Sequence, residues 1–313
     1  MRVMNVIART AVGLAALGRP AYINLGRDAL PTERTVEAMR SATFDVLDEA
    51  YAAGVRRVDA ARSYGRAEEF LAAWLADRGH EDVVVSSKWG YAYVGGWRMD
   101  ASVHEVKEHS LSRFRQQWAE TKATVGVPAL YQVHSLTADS PLFDDVALQE
   151  ALAELADTGV RVGFSTSGPA QADTIRKAFD LTVDGAPVFT AVQSTWNVLE
   201  SSAGLALAEA HEAGALVQLK ETLANGRLVV EPPREVADIA RAHGVAADAV
   251  ALAAAYAESW ADVVLLGPSG TCQLAANLAA TEVRLSDDEL ETLAELRENP
   301  RDYWARRSQL VWG

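Results

Sequence analysis

Val55-Arg56-Arg57-Val58-Asp59-Ala60-Ala61-Arg62-Ser63-Tyr64-Gly65 is the stretch whose reading decides the fold. It reads as a short buried strand, Val55 to Val58, that delivers an acid at its end and a tyrosine into the loop beyond. Two later stretches end in the same manner. Val83-Val84-Val85-Ser86-Ser87 runs into Lys88, and Leu130-Tyr131-Gln132-Val133 runs into His134. In an α/β barrel the C-terminal ends of the strands form one rim, and chemistry is carried out there. Asp59, Tyr64, Lys88 and His134 are therefore expected to converge, although 75 residues separate the first from the last.

Outward from this stretch the chain alternates strand and helix. Residues 11–18 read as a first strand and a loop that carries Tyr22 and Asn24. Apolar positions at Phe44, Leu47 and Ala50-Tyr51 predict a helix from Thr43 to Ala53 that stops at Gly54, a natural C-cap residue. A second helix, about Ala67 to Arg78, stops at Gly79. Then follow strand 83–87, helix 102–124, strand 129–133, helix 145–157, strand 160–164 and helix 171–180. Strand 188–193, helix 202–213, strand 215–219, helix 235–257 (broken near Gly244), strand 262–266 and helix 271–280 complete the series. Such alternation means parallel βαβ units. Eight of them fit a single α/β domain over residues 1–313, a closed (β/α)₈ TIM barrel, better than an open sheet. Ser286-Asp-Asp-Glu289 is a capping box ahead of a C-terminal helix to about Glu298. The aromatic tail beyond, Tyr303-Trp304 to Trp312, either covers the outer wall or folds over the rim.

Composition narrows the function classes. At 313 residues, 49% hydrophobic and 23% charged, the chain has the profile of a folded globular protein. No apolar run approaches the roughly 20 residues that span a bilayer, and Met1 to Thr10 carries no leader-like core. A cytoplasmic protein is expected. A net charge of −14 argues against nucleic acid or an anionic membrane as partner. The single cysteine, Cys272, excludes an internal disulfide and a cysteine-based metal cluster. With no heptad stretch or long apolar surface run, the expectation is a monomer.

Several motifs lead nowhere. His104 and His109 are five apart, about 140° around a helix rather than the i, i+4 of a zinc pair, and read as a solvated helix face. No metal site is expected. Gly163-Phe-Ser165-Thr-Ser167-Gly168 lacks the glycine spacing of a nucleophile elbow. No Gly-x-Gly-x-x-Gly or P-loop follows any strand. Gly95-Gly96 lies in a long loop flanked by Trp89, Tyr91, Tyr93 and Trp97, read as a lid over the rim rather than an aromatic surface loop.

Asp59, Tyr64, Lys88 and His134, each at a strand end and in this order, resemble the catalytic tetrad of the aldo-keto reductases, and the similarity runs from Gly13 to Asn277. That resemblance implies an NAD(P)(H)-dependent oxidoreductase that interconverts a carbonyl and an alcohol. Tyr64 would be the proton donor, activated by Lys88, with Asp59 holding the lysine and His134 bonding the substrate oxygen. It also implies a cofactor laid over the rim. Ser165 and Gln193 match the pair that holds the nicotinamide carboxamide, and Thr166 stands where an asparagine is usual. Leu223, Asn225, Gly226 and Arg227 match the loop under the pyrophosphate. Gly267, Ser269, Gly270, Thr271, Gln273 and Asn277 resemble the grip on the adenosine end. Gln273 replaces an arginine found in some NADP-using members, yet NADP(H) is expected over NAD(H).

Lys220 stands where many members carry an aromatic ring, which Trp196 would have to supply instead. A cation there disfavours the oxidised cofactor, unless Lys220 pairs with Glu221 and is electrically silent. The expected substrate pocket comprises Tyr22, Trp89, Tyr93, Trp97 and Trp304. A sugar or sugar-derived carbonyl is the closest guess. The competing reading is a nucleotide-binding regulatory or scaffold protein on the same barrel with little turnover.

Overall fold

The computed structural model describes residues 6–26 and 33–312, so the reading of Met1–Asn5 as free of a leader lies outside it. Strand β1 (Thr10–Gly13) is followed by α1 (Val36–Ala52), β2 (Arg57–Asp59), α2 (Ala67–Arg78) and β3 (Val84–Trp89). A hairpin of β4 (Tyr91–Tyr93) and β5 (Glu105–Lys107) precedes α3 (Leu111–Val125), β6 (Leu130–Leu136), α4 (Val146–Asp157), β7 (Arg161–Thr166) and α5 (Gln171–Phe179). A second small hairpin, β8 (Thr182–Val183) and β9 (Ala186–Pro187), leads to β10 (Ala191–Thr195), α6 (Gly204–Glu212) and β11 (Leu216–Lys220). The chain continues as α7 (Arg227–Val230), α8 (Arg234–His243), α9 (Ala247–Ala257), β12 (Val263–Leu266), α10 (Thr271–Leu278), α11 (Asp287–Ala294) and α12 (Pro300–Ser308). Eight strands pair in parallel and close in the order β1-β12-β11-β10-β7-β6-β3-β2, and the two hairpins stand outside the barrel.

Local chemistry sets the boundaries. Thr35 caps α1 by accepting the Ala38 N–H, so the helix starts about two turns before the expected Thr43, which is buried inside it. Gly79 ends α2 at φ 67, where a Cβ would be strained. The predicted capping box of Ser286 and Glu289 is formed. The predicted break in the long helix falls at Gly244, between α8 and α9. The expected helix 102–124 is corrected at its start: residues 105–107 pair with 91–93, and Ser110 caps α3 only afterwards.

The apolar core lies between barrel and helices, with Leu47, Leu71, Trp74, Val133, Phe164 and Leu207 all essentially inaccessible. The barrel interior beneath the rim is polar by contrast. The Asp59 Oδ1 accepts from Ser86 Oγ (2.8 Å), Gln193 Nε2 (3.2 Å) and Gln132 Nε2 (3.4 Å), and Gln193 donates also to Gln218 Oε1 (2.9 Å). Charges and amides so deep are tolerated only when they bond one another. This network fixes where Asp59 stands.

Candidate active site

Strand ends bring the four predicted residues together. Asp59 closes β2, Lys88 is next to last in β3, His134 lies in the C-terminal part of β6, and Tyr64 sits in the loop leading to α2. Lys88 is fully buried and forms an ion pair with Asp59. Its Nζ also donates to the Ala60 carbonyl at 3.2 Å and to Tyr64 Oη at 3.4 Å. The Tyr64 and His134 rings meet edge to face, their centroids 5.5 Å apart.

A β-bulge aims His134. The β6–β7 ladder slips between Val133 and Leu136, and Ser135 adopts φ 53. Ser165 Oγ accepts the Ser135 N–H at 2.8 Å, and His109 Nε2 lies 2.9 Å from the His134 carbonyl. Bulges at barrel rims re-aim side chains in this way. The solvated-face reading of His104 and His109 is thereby corrected. Both are buried, His109 braces the bulge with its Nδ1 on Ser140 Oγ at 2.8 Å, and His104 stacks on Trp312.

Burial sets the protonation states. It pushes the Tyr64 hydroxyl well above the ordinary tyrosine value, with Asp59 adding to the effect and Arg19 opposing it. Lys88 was expected to draw Tyr64 toward neutrality. Its ammonium instead sits against Asp59, and the two charges oppose one another at the phenol. Tyr64 is a neutral phenol at physiological pH. Burial, then Lys88, Lys220 and Arg19, hold His134 well below the ordinary histidine value, so its imidazole is neutral. Its Nδ1 lies 3.3 Å from Ser63 Oγ.

A cavity of about 380 Å³ extends from Arg19, Tyr64 and His134 to Gly267, Gln273 and Asn277. Gln193, Lys220, Leu223, Asn225 and Gly226 line it between, so eight of the predicted cofactor residues reach it. Ser165 and Thr166 do not: Thr166 faces the opposite side of β7, and the inward hydroxyl of Ser165 is taken up by the bulge. Thr166 Oγ1 bonds Ser194 Oγ at 2.8 Å across the outer face, and Ser167 lines the cavity. Arg227 turns away to Glu298, with Nη2–Oε1 at 2.6 Å. Ser269 donates to Gln273 Oε1 at 2.9 Å and borders a second cavity of about 280 Å³, while Gly270 and Thr271 begin α10.

The expected aromatic pocket is rebuilt. Tyr22 lines the cavity. Trp89 is fully buried beneath the rim against Phe114, because it continues the outward-facing side of β3. Tyr93 and Trp97 are half-buried and do not line the cavity: Trp97 N donates to Tyr93 Oη at 3.0 Å and its Nε1 to the Arg34 carbonyl at 2.9 Å, so their loop docks on the segment before α1. Trp196 packs on Trp260. The tail does fold over the rim, yet Trp304 packs beside Tyr303 in the outer cluster and Trp312 supplies the ring. Trp312 bridges to Ile23 and lies under the Arg19 guanidinium, 4.7 Å from its centroid.

Sequence reasoning missed Arg19, Tyr91, Glu105 and Arg307, all of which line the cavity. Arg19 was findable by the strand-end rule, since it follows the loop beyond β1. The others depend on the hairpin and the tail, which no periodicity announces. The lining suits an extended polar ligand. Asn225, at φ 53, keeps a buried Oδ1 with no partner among the described residues, and a Cβ on Gly226 would lie 2.9 Å from the Leu25 carbonyl oxygen.

A family model described as the aldo/keto reductase family matches residues 23–298. No curated protein matches by sequence. Among solved structures the chain is similar to an aldo-keto reductase from Bacillus halodurans in its holo form, at TM-score 0.67 and 18% identity, covering 93% of this chain and 92% of that one. It is also similar to a glycerol dehydrogenase from Gluconobacter oxydans, at TM-score 0.68 and 19% identity, covering 92% and 90%. At such identities these two likenesses speak for the fold alone.

Proposed function

The chain belongs to the aldo/keto reductase family and is an oxidoreductase of carbonyl and alcohol groups; from that premise we propose an NADP(H)-dependent carbonyl reductase in which Tyr64 is the acid. The observation that carries this reading is the buried contact of Lys88 with both Asp59 and Tyr64 at the end of the cavity. When bound, the nicotinamide cofactor supplies the hydride that converts a carbonyl carbon to an alcohol carbon.

Tyr64 gives its proton to the carbonyl oxygen as negative charge develops there. A neutral phenol is the right form for this, and its raised pKa keeps it loaded. Lys88 stabilises the phenolate that remains, and Asp59 holds Lys88 in place. His134, neutral, donates a hydrogen bond to the same oxygen when Ser63 donates to its Nδ1, which leaves the proton on Nε2. Gln193, Lys220, Leu223, Asn225 and Gly226 would hold the cofactor along the cavity, and Gln273 and Asn277 its far end. The uncapped first turn of α10, with Ser269 and Gln273 beside it, suits a phosphate and favours NADP(H). Substrates are small carbonyl compounds, with aldehydes of sugar type the first to screen.

Titration of the eight tryptophans' fluorescence with NADPH and, separately, NADH tests the reading. Quenching by NADPH at concentrations at least about tenfold below those of NADH is expected. Binding of neither would sink it.

A further inference from the structure

Four cationic side chains surround the Tyr64 end of the cavity: Arg19, Lys88, Lys220 and Arg307. Among the described residues three carboxylates face them, Asp59, Glu105 and Glu221. Arg19 takes Glu105 at 2.6 Å, Lys88 takes Asp59, and Arg307 takes Glu221 through two bonds, Nε to Oε2 at 3.0 Å and Nη2 to Oε1. Lys220 is the surplus cation. Its Nζ donates to Thr195 Oγ1 at 2.9 Å, while Glu221 Oε1 lies 3.7 Å away and is already engaged by Arg307. Thr195 in turn donates to Glu221 Oε2 at 3.0 Å. The pairing with Glu221 that would silence Lys220 is therefore shared out, and one net positive charge remains at the Tyr64 end of the cavity.

We infer that Lys220 discriminates the redox state of the nicotinamide, repelling the oxidised ring and so holding the reduced cofactor more tightly. This rests on the cofactor reading above. A ring that reaches a carbon whose oxygen is held by Tyr64 and His134 must lie in the part of the cavity that Lys220 also lines. The field of Lys220 is felt there, since it is among the charges that depress His134. The reduced ring is neutral and the oxidised ring carries one positive charge, so an ammonium bears on the two forms unequally. The phosphates and adenosine are common to both and cancel. Tight binding of the reduced form keeps the enzyme loaded, and weak binding of the oxidised form hastens its release.

The test is calorimetric titration of the full chain with NADPH and with NADP⁺, for the wild type, Lys220→Met and Lys220→Arg. Lys220→Met is expected to lower the ratio of the NADP⁺ to the NADPH dissociation constant about tenfold, through tighter NADP⁺, as for one removed charge at close range. Lys220→Arg should keep the ratio. A second measurement needs no variant. Burial depresses Lys220 to about 8, with Glu221 opposing and Arg307 and Lys88 reinforcing, so raising the pH from 7 to 9.5 should discharge it and collapse the wild-type ratio. Across that range His134 is already neutral and Tyr64 still protonated. An unchanged ratio in Lys220→Met, or a wild-type ratio flat with pH while both forms bind, overturns the inference alone. Failure of the wild type to bind either form overturns the cofactor reading and this inference with it.

Discussion

The two ends of the rim cavity are built on different principles. At the Tyr64 end the polar groups are committed to one another inside the chain. Lys88, Asp59 and Gln193 are buried, and each is bonded to at least one of the others. At the Gln273 end, Ser269 is half-exposed, Gln273 is exposed, and the two bond each other in a loop and a first helical turn. Groups that move a proton must be fixed before substrate arrives. Groups that grip the remote part of a ligand can be ordered by the ligand itself. The contrast predicts where a substitution harms turnover and where it harms only affinity.

The largest effect is expected at the committed end. Tyr64→Phe removes the proton donor while leaving the ring and its edge contact with His134. Turnover of an aldehyde with NADPH should fall by about 10²–10⁴, with the NADPH dissociation constant within a factor of about two. Steady-state kinetics beside a binding titration measure both. Comparable loss of binding would show that the two ends are not separable.

The brace that ties the tail to the Tyr64 end comes next. Arg307 on α12 ties the tail to Glu221, whose side chain is only 9% exposed and whose backbone sits at φ 54. Arg307→Met strands that carboxylate. Removing one partner of a fully buried pair costs about 3–5 kcal/mol, but Arg307 keeps 24% exposure, so about 2 kcal/mol is the expectation after solvent screening. The pH dependence has a definite sign. Glu221 is depressed from 4.5 to about 2, burial opposing while Arg307 and Lys220 lower it. A depressed carboxylate contributes stability above its unfolded value, and that contribution disappears as the pH falls through the folded one. The gap in melting temperature between wild type and variant should be full above about pH 4.5 and narrow toward about pH 2. A gap independent of pH would mean that Arg307 acts through packing on Trp304 instead.

The same contrast explains what the sequence disclosed. Asp59, Lys88 and His134 were legible because β2, β3 and β6 announce themselves by apolar runs, and the barrel puts the ends of such runs on one rim. Gln273 and Asn277 were legible only through the family resemblance, since a loop has no period to read. Trp312 and Trp304 could not be told apart in sequence, because both are tail aromatics and the path of α12 alone decides which reaches Arg19. Strand alternation excludes Trp89 from the expected pocket, since it adjoins Lys88 and so faces the opposite side of the sheet. Ser165 faces the interior as expected, yet the bulge at Ser135 claims its hydroxyl.

The smallest effect is expected at the open end. Gln273→Ala removes the Oε1 that accepts from both the Ser269 N–H and its hydroxyl, each at 2.9 Å. Those bonds hold a loop rather than a core, so thermal stability should move by less than about 0.5 kcal/mol, as for surface positions generally. Freed from Gln273, Ser269 no longer presents a fixed hydroxyl to the phosphate end of the cofactor. One hydrogen bond's worth of order, about 1 kcal/mol, should appear as roughly a fivefold weaker NADPH dissociation constant. Turnover at saturating NADPH should stay within a factor of about two, because Asp59 and Lys88 are positioned by β2 and β3 and Tyr64 by the loop that leads to α2, at the other end of the cavity from Gln273. A large fall in saturated turnover would break the comparison, since it would mean that the grip on the far end also sets the geometry at the proton donor.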